Sequence, residues 1–229
     1  MQTEAGRVAL VAGASGMVGR ELLRVLADSS AYRRVVALSR RPLSFEAPRL
    51  ANRIIRFENI ETDLRGLVCD DAYCCLGTTI RDAGSQQAFR AIDHDLVLHY
   101  ARFAQSAGAK TFLTVSAAGA LPESRNFYLR VKGETELALI ALRFRSLHLM
   151  QPSLLLGARS EWRPTEALAR MLLPLFNPLM LGRYQRWRAI PARTVAAAMC
   201  AAAASGIAGV HRHTWRAMQS LAREGRLPI

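Results

Sequence analysis

Three residues stand at spacings that suit proton transfer. Ser116 closes the apolar run Thr111–Ser116, and Tyr128 and Lys132 follow twelve residues later as Y-x-x-x-K. On a helix the i, i+4 spacing puts phenol and ammonium on one face. A phenol titrates near about 10 in isolation, and a nearby cation favours phenolate, which poises Tyr128 to exchange a proton near neutrality. Lys132 is also a rare residue type here. Of 31 cationic residues only Lys110 and Lys132 are lysine, and the other 29 are arginine. A compact ammonium fits beneath a ribose where a guanidinium fork fits differently.

A second constellation lies near the start. Gly13-Ala14-Ser15-Gly16-Met17-Val18-Gly19 joins an apolar run, Val8–Ala12, to an amphipathic stretch, Val18–Ala27. Tight turning and close approach of backbone to a phosphate both exclude a Cβ. The amides opening the helix then face a pyrophosphate, favoured by the helix dipole. The last glycine lets helix and sheet pack closely. About twenty residues further on, the second apolar run ends in Ser39-Arg40-Arg41. An acidic residue there would bind a ribose 2′-hydroxyl, whereas arginine pairs with a 2′-phosphate. The residues therefore point to NADP(H), with Arg40 the principal contact and Arg41 the second. Leu76-Gly77-Thr78-Thr79, after the fourth run, forms a small polar turn suited to lie along the cofactor.

These residues need a scaffold that brings strand ends together. Apolar runs at Val8–Ala12, Val35–Ser39, Arg53–Phe57, Ala72–Leu76, Thr111–Ser116 and Leu147–Gln151 read as strands. Helical patterns at 18–27, 86–107 and 128–144 separate several of them. Such alternation predicts an α/β fold, a doubly wound parallel sheet of Rossmann type, with its ligand site at the carboxyl ends of the strands. The chain reads as a single domain over 1–229. Roughly 157–229 is less regular and is expected to form part of a small substrate cap. An Ala-rich helix (191–205), a short strand (210–215) and a terminal helix (216–224) are expected within it.

The set of motifs resembles the short-chain dehydrogenase/reductase superfamily. Ser116-Ala117-Ala118-Gly119-Ala120, then Asn126 to Glu134, together with Arg40-Arg41, Asp93-His94-Asp95 and Pro152-Ser153-Leu154-Leu155-Leu156, is similar to its atypical branch containing the human Tat-interacting tumour suppressor, which binds NADPH. The resemblance spans roughly 7–170. It implies that Ser116 polarises a substrate carbonyl, Tyr128 moves the proton, Lys132 holds the nicotinamide ribose, and Pro152, Ser153 and Leu154 line the nicotinamide end. It also implies hydride transfer between NADPH and a small carbonyl or alcohol substrate. The branch equally admits an NADPH-sensing regulatory or interaction protein with little turnover. Two positions depart from the pattern. Asp93 stands where many superfamily enzymes carry an asparagine that supports a relay water. Gln151 stands where the branch often has arginine ahead of the proline.

Composition narrows the remaining classes. The chain has 229 residues, 51% hydrophobic and 21% charged, enough for a sizeable core. The net charge of +13 raises nucleic-acid binding, but the arginines are scattered and no zinc-finger, basic-heptad or aromatic RNA-binding pattern accompanies them. No nucleic-acid partner is expected. The four cysteines have no metal-ligand spacing, so no metal site is expected; Cys74 and Cys75 read as reduced core residues. His94 reads as a helix residue making ordinary ion pairs, and His211 and His213 as strand positions. The apolar runs at 171–182 and 195–210 are too short to span a membrane, and no signal peptide is read. The chain is expected to be cytoplasmic. Arg159, Glu161, Trp162, Arg163 and 171–176 are expected to close over the substrate, favouring an apolar or mixed compound. The oligomeric state stays open, a homodimer included.

Overall fold

The computed structural model describes residues 6–156 and 187–225. Seven parallel strands form one sheet. In chain order they are β1 (Arg7–Ala12), β2 (Tyr32–Ser39), β3 (Leu50–Ile54), β4 (Asp71–Cys74), β5 (Thr111–Val115), β6 (Ser146–Met150) and β9 (Gly209–His213). A separate pair joins β7 (Leu155–Leu156) to β8 (Ile190–Pro191). The large sheet runs β3-β2-β1-β4-β5-β6-β9. The order reverses between β1 and β4, so the ligand crevice of this fold class opens at their carboxyl ends.

β1 shows why the sheet is covered on both faces. Val8, Leu10 and Ala12 enter one apolar core, and Ala9 and Val11 enter the other. Alternate side chains of a strand point to opposite faces, so an unbroken apolar run marks a strand buried twice. The first core receives Val97, Tyr100, Ala101 and Ala104 from the long central helix, and Leu139 from α6 (Phe127–Ala141). The second receives Leu22, Leu23 and Leu26 of α1 (Met17–Asp28) and the alanine-rich α7 (Ala192–Ala204). Leu22 and Leu26 are fully buried. Each contributes about 1.5–3 kcal/mol over an exposed side chain.

The remaining described helices are α2 (Ile60–Asp63), α3 (Ile80–Ala83), α4 (Gln86–Arg90), α5 (Val97–Ser106) and α8 (Trp215–Glu224). α4 runs without a break through a π-helical stretch, Ala91–Leu96, into α5. The expected helix over 86–107 is thus present with one wide turn inside it.

One strand lies elsewhere than expected. The third strand lies at Leu50–Ile54, not Arg53–Phe57. Ile55 and Phe57, which made that run look like a strand, enter the core from the turn and 3-10 segment beyond the strand's end. The last part of the chain contributes to the main body: β9 extends the sheet beside β6, and α7 packs against α1. Residues 157–186, on which a substrate cap and the closing residues Arg159 to Phe176 would rest, lie outside the described residues.

Candidate active site

The glycine turn is shaped by close backbone contacts. Gly13 has φ +76°, and a Cβ there would meet the Cys75 carbonyl at 2.4 Å. A Cβ on Gly19 would stand 2.2 Å from the Gly13 carbonyl oxygen. Both contacts exclude a side chain outright. Gly16 is less constrained, with its nearest such contact at 3.2 Å. It caps α1 with no side-chain hydrogen bond, and the first helical turn holds no acidic residue. An uncapped helix start beside a glycine cradle fits an anionic diphosphate. Ala14 and Val18 are buried, Met17 is half-buried and Ser15 is exposed. The segment therefore faces a ligand chiefly with its backbone.

At the end of β2 the structure separates two roles. Ser39 is buried, and its hydroxyl donates to the Arg41 carbonyl at 2.6 Å. Asn52 on β3 donates to Ser39 Oγ at 2.8 Å and accepts from the Leu43 amide at 3.1 Å. Ser39 and Asn52 thus fix the turn, leaving Arg40 and Arg41 exposed at the strand end.

The loop after β4 is pinned to the central helix. The Thr78 amide donates to Asp93 Oδ2 at 2.8 Å, and the other carboxylate oxygen lies 2.7 Å from Lys132 Nζ. Thr79 Oγ1 accepts from the Asp82 amide and so caps α3. Leu76 and Gly77 lie in the same loop, and a Cβ on Gly77 would reach within 3.3 Å of Asp93. Asp93 sits in the π-helical stretch with its side chain 1% exposed. It grips Lys132 and the loop amide directly, where the family pattern implied an asparagine serving a relay water.

Tyr128 and Lys132 share a face of α6, whose start Asn126 caps by accepting from the Leu129 amide. Gly133 lets this helix close on the preceding loop, since a Cβ there would lie 2.2 Å from the Leu121 carbonyl carbon. The Tyr128 ring rests on Phe89 with centroids 5.5 Å apart. Burial pushes the Lys132 ammonium toward neutrality. The facing Asp93 carboxylate and then Tyr128 outweigh that, so its pKa ends above the ordinary value. Lys132 is thus a buried ammonium facing a buried carboxylate.

Ser116, one residue beyond β5, is buried and donates to Glu136 Oε1 at 2.5 Å. A cavity of about 10 Å³ is lined in part by Asp93, Ser116, Lys132 and Glu136, and is far too small for an organic substrate. Pro152, Ser153 and Leu154 follow β6. The Pro152 carbonyl accepts from the Ala118 amide at 2.8 Å, Ser153 Oγ donates to the Arg188 carbonyl, and the Leu154 carbonyl accepts from the Ile190 amide at 2.9 Å. This segment is therefore tied to the loop that follows Ser116.

The glycine turn, the arginine pair, the Leu76–Thr79 loop, Ser116 and the segment after β6 all lie at the carboxyl ends of the sheet. Glu136, Asn52 and the π-helical stretch were missed from the sequence. Glu136 carried a signal, because Tyr128, Lys132 and Glu136 repeat every four residues on one helix. His94 is half-buried, with Nδ1 2.7 Å from Asp95 Oδ1. His211 and His213 stack with His148, away from this cluster on the last two strands.

A Rossmann-type sheet with this glycine cradle defines a dinucleotide-binding class of protein. Residues 9–126 match the model of the NAD dependent epimerase/dehydratase family, and the chain belongs to that family. The atypical branch suggested by the motifs is supported by the rat protein HTATIP2, 35% identical over 193 residues, covering 82% of this chain and 78% of the relative. Protein FMP52, mitochondrial, of Saccharomyces cerevisiae is 32% identical over 188 residues, covering 80% of each chain. Among solved structures, MoeE5 in complex with UDP-glucuronic acid and NAD superposes with a TM-score of 0.68 at 17% identity, over 90% of this chain and 75% of that one. Human epimerase family protein SDR39U1 with NADPH gives 0.61 at 18%, over 90% and 74%. The structural likeness concerns the fold.

The relatives correct one expectation. Six fungal relatives carry a mitochondrial designation, and the reading of the chain as cytoplasmic is withdrawn. Among the described residues no helix is long and apolar enough to cross a membrane.

Proposed function

We propose that this chain is an NADP(H)-dependent oxidoreductase moving hydride between the cofactor and a small carbonyl or alcohol. One observation carries the reading: Lys132, one helical turn from Tyr128, is locked by Asp93 to the Thr78 amide. The phenol's helix and the loop after β4 are thereby joined beside the glycine turn. Gly13 to Gly19 would hold the diphosphate, and Arg40 and Arg41 the 2′-phosphate. Leu76 to Thr79 and Pro152 to Leu154 would flank the rest. The solved neighbour holding NADPH supports this choice of cofactor.

NADP(H), when bound, would supply or accept the hydride. Tyr128 donates the proton to the substrate oxygen during reduction and takes it back during oxidation. Lys132 stays charged on its Asp93 brace, one helical turn from the phenol. Ser116 contacts the substrate oxygen.

Incubating the protein with NADPH and a panel of aldehydes and ketones tests the reading. Tyr128→Phe is expected to lower turnover by about 10²-fold or more while NADPH still binds. Unchanged turnover in that variant would overturn it. Tight NADPH binding without turnover of any carbonyl would replace it with the sensor reading.

A further inference from the structure

Asn52 lies on β3, an edge strand of the sheet, opposite Ala37 of β2. Asparagine is a poor strand former, yet this side chain is engaged at every polar position. Its Nδ2 donates to the Ala37 carbonyl at 3.2 Å and to Ser39 Oγ at 2.8 Å, and its Oδ1 accepts from the Leu43 amide at 3.1 Å. The two backbone partners settle which amide atom is which. A carbonyl oxygen only accepts and a peptide N–H only donates, so the side chain has one workable orientation.

That orientation is passed on to the turn after β2. Ser39 Oγ receives one Asn52 hydrogen and gives its own to the Arg41 carbonyl at 2.6 Å. The Ser39 carbonyl accepts from the Ile55 amide at 3.0 Å. Residues 39–43 are therefore held at their start, middle and end, through Ser39, the Arg41 carbonyl and the Leu43 amide. Arg40 and Pro42 lie between these points, and the proline ring fixes its own φ. The two arginine side chains are exposed, but the backbone that carries them is fixed. A guanidinium that is already placed binds a phosphate more tightly than one that must be ordered on binding, because less chain freedom is lost.

We propose that Asn52 is a positioning residue for coenzyme choice. By fixing the Ser39–Leu43 turn it places Arg40 for the 2′-phosphate and so favours NADP(H) over NAD(H). It acts through Ser39 and the backbone rather than by contact with the coenzyme. The inference rests on the assignment of Arg40 and Arg41 to that phosphate and deepens it, because it puts part of the selectivity in a neutral side chain on the neighbouring strand.

Two measurements test it. The first needs no coenzyme. Asn52→Leu keeps a branched side chain and removes all three hydrogen bonds. Amide hydrogen exchange at Leu43 is expected to quicken by about tenfold or more in that variant, while the amides of β1 stay protected. Unchanged exchange at Leu43 overturns the proposal.

The second is calorimetric titration with NADPH and with NADH. Asn52→Leu is expected to raise the Kd for NADPH about tenfold and that for NADH by less than about twofold, so the preference falls. Ser39→Ala cuts the link to the Arg41 carbonyl and should act in the same direction. The double variant should lose less than the product of the two single losses, since both break one chain of hydrogen bonds. Equal weakening of both coenzymes would make Asn52 merely structural, and an unchanged preference would remove its role; either overturns the proposal. Should Asn52→Leu not fold, Ser39→Ala carries the test alone, because it leaves β3 intact and must still lower the preference. Arg40→Asp separates the two levels. If it leaves the preference intact, the assignment of the arginines falls and the proposal with it. If it abolishes the preference while Asn52→Leu and Ser39→Ala do not, only the role of Asn52 falls.

Discussion

Lys132 Nζ and Asp93 Oδ1 lie 2.7 Å apart, with both side chains less than one-tenth exposed. Asp93 faces Lys132 with one carboxylate oxygen, and its second oxygen accepts from the Thr78 amide. The helix carrying Asp93 widens into a π turn there, a distortion often found at functional sites.

Removing one partner leaves an uncompensated buried charge. Asp93→Ala is expected to destabilise the fold by about 3–5 kcal/mol, read from urea denaturation. It should also loosen the loop at Thr78 and weaken NADPH binding. A stability loss below about 1 kcal/mol would mean that water reaches Lys132 and that the pair is not the brace described.

The glycine turn gives a sharper steric prediction. Gly19→Ala would place a methyl group 2.2 Å from the Gly13 carbonyl oxygen, so α1 must move away from β1. Calorimetric titration should then show NADPH affinity reduced by about tenfold or more, whether or not the protein stays folded. Gly16→Ala meets its neighbour at 3.2 Å and should be milder. Equal effects from both substitutions would contradict the steric account.

Arg40 offers a charge-reversal test. Its side chain is exposed at the end of β2, beyond a turn fixed by Ser39 and Asn52. Arg40→Asp is expected to weaken NADPH by about 10²-fold while weakening NADH far less, because only the former carries the 2′-phosphate. Titrations of both coenzymes that shift together would assign the arginine to general surface charge.

Much of this arrangement was legible in the sequence, for physical reasons. Val8–Ala12 could only be a doubly buried strand, and Gly13 and Gly19 sit where backbone contacts exclude any other residue. The third strand was misplaced because it is an edge strand with weak alternation, Ile54 being 58% exposed. The apolar Ile55 and Phe57 lie beyond its end. The π turn was hidden because Phe89, Ile92, Leu96, Tyr100 and Phe103 read as one continuous helical stripe across it, whereas the wide turn buries Asp93 and Val97 in place of Ile92 and Leu96. Glu136 was missed because its donors, Ser116, Gln151 and Arg212, are brought together only by the closed sheet.

The histidines on β6 and β9 are expected to make stability depend on pH. Ser146 Oγ donates to the Ile207 carbonyl, so it must accept from His148 Nε2. His148 Nδ1 is then an acceptor for His213 Nε2, 2.9 Å away. His211 stacks on both rings, with centroids 5.1 and 6.3 Å away. Burial, then neighbouring His213 and His211, push His148 down to about 4; burial, then His211, do the same for His213. In the unfolded chain both return toward 6.5. Between those values the unfolded state binds more protons than the folded one, so stability falls as the pH is lowered from about 6.5 towards 4. Urea midpoints measured across this window should drop steadily. Replacing both residues, His148→Phe with His213→Phe, should flatten that slope without abolishing NADPH binding, since the cluster lies apart from the glycine turn. A slope that survives the double substitution would place the acid sensitivity in other groups.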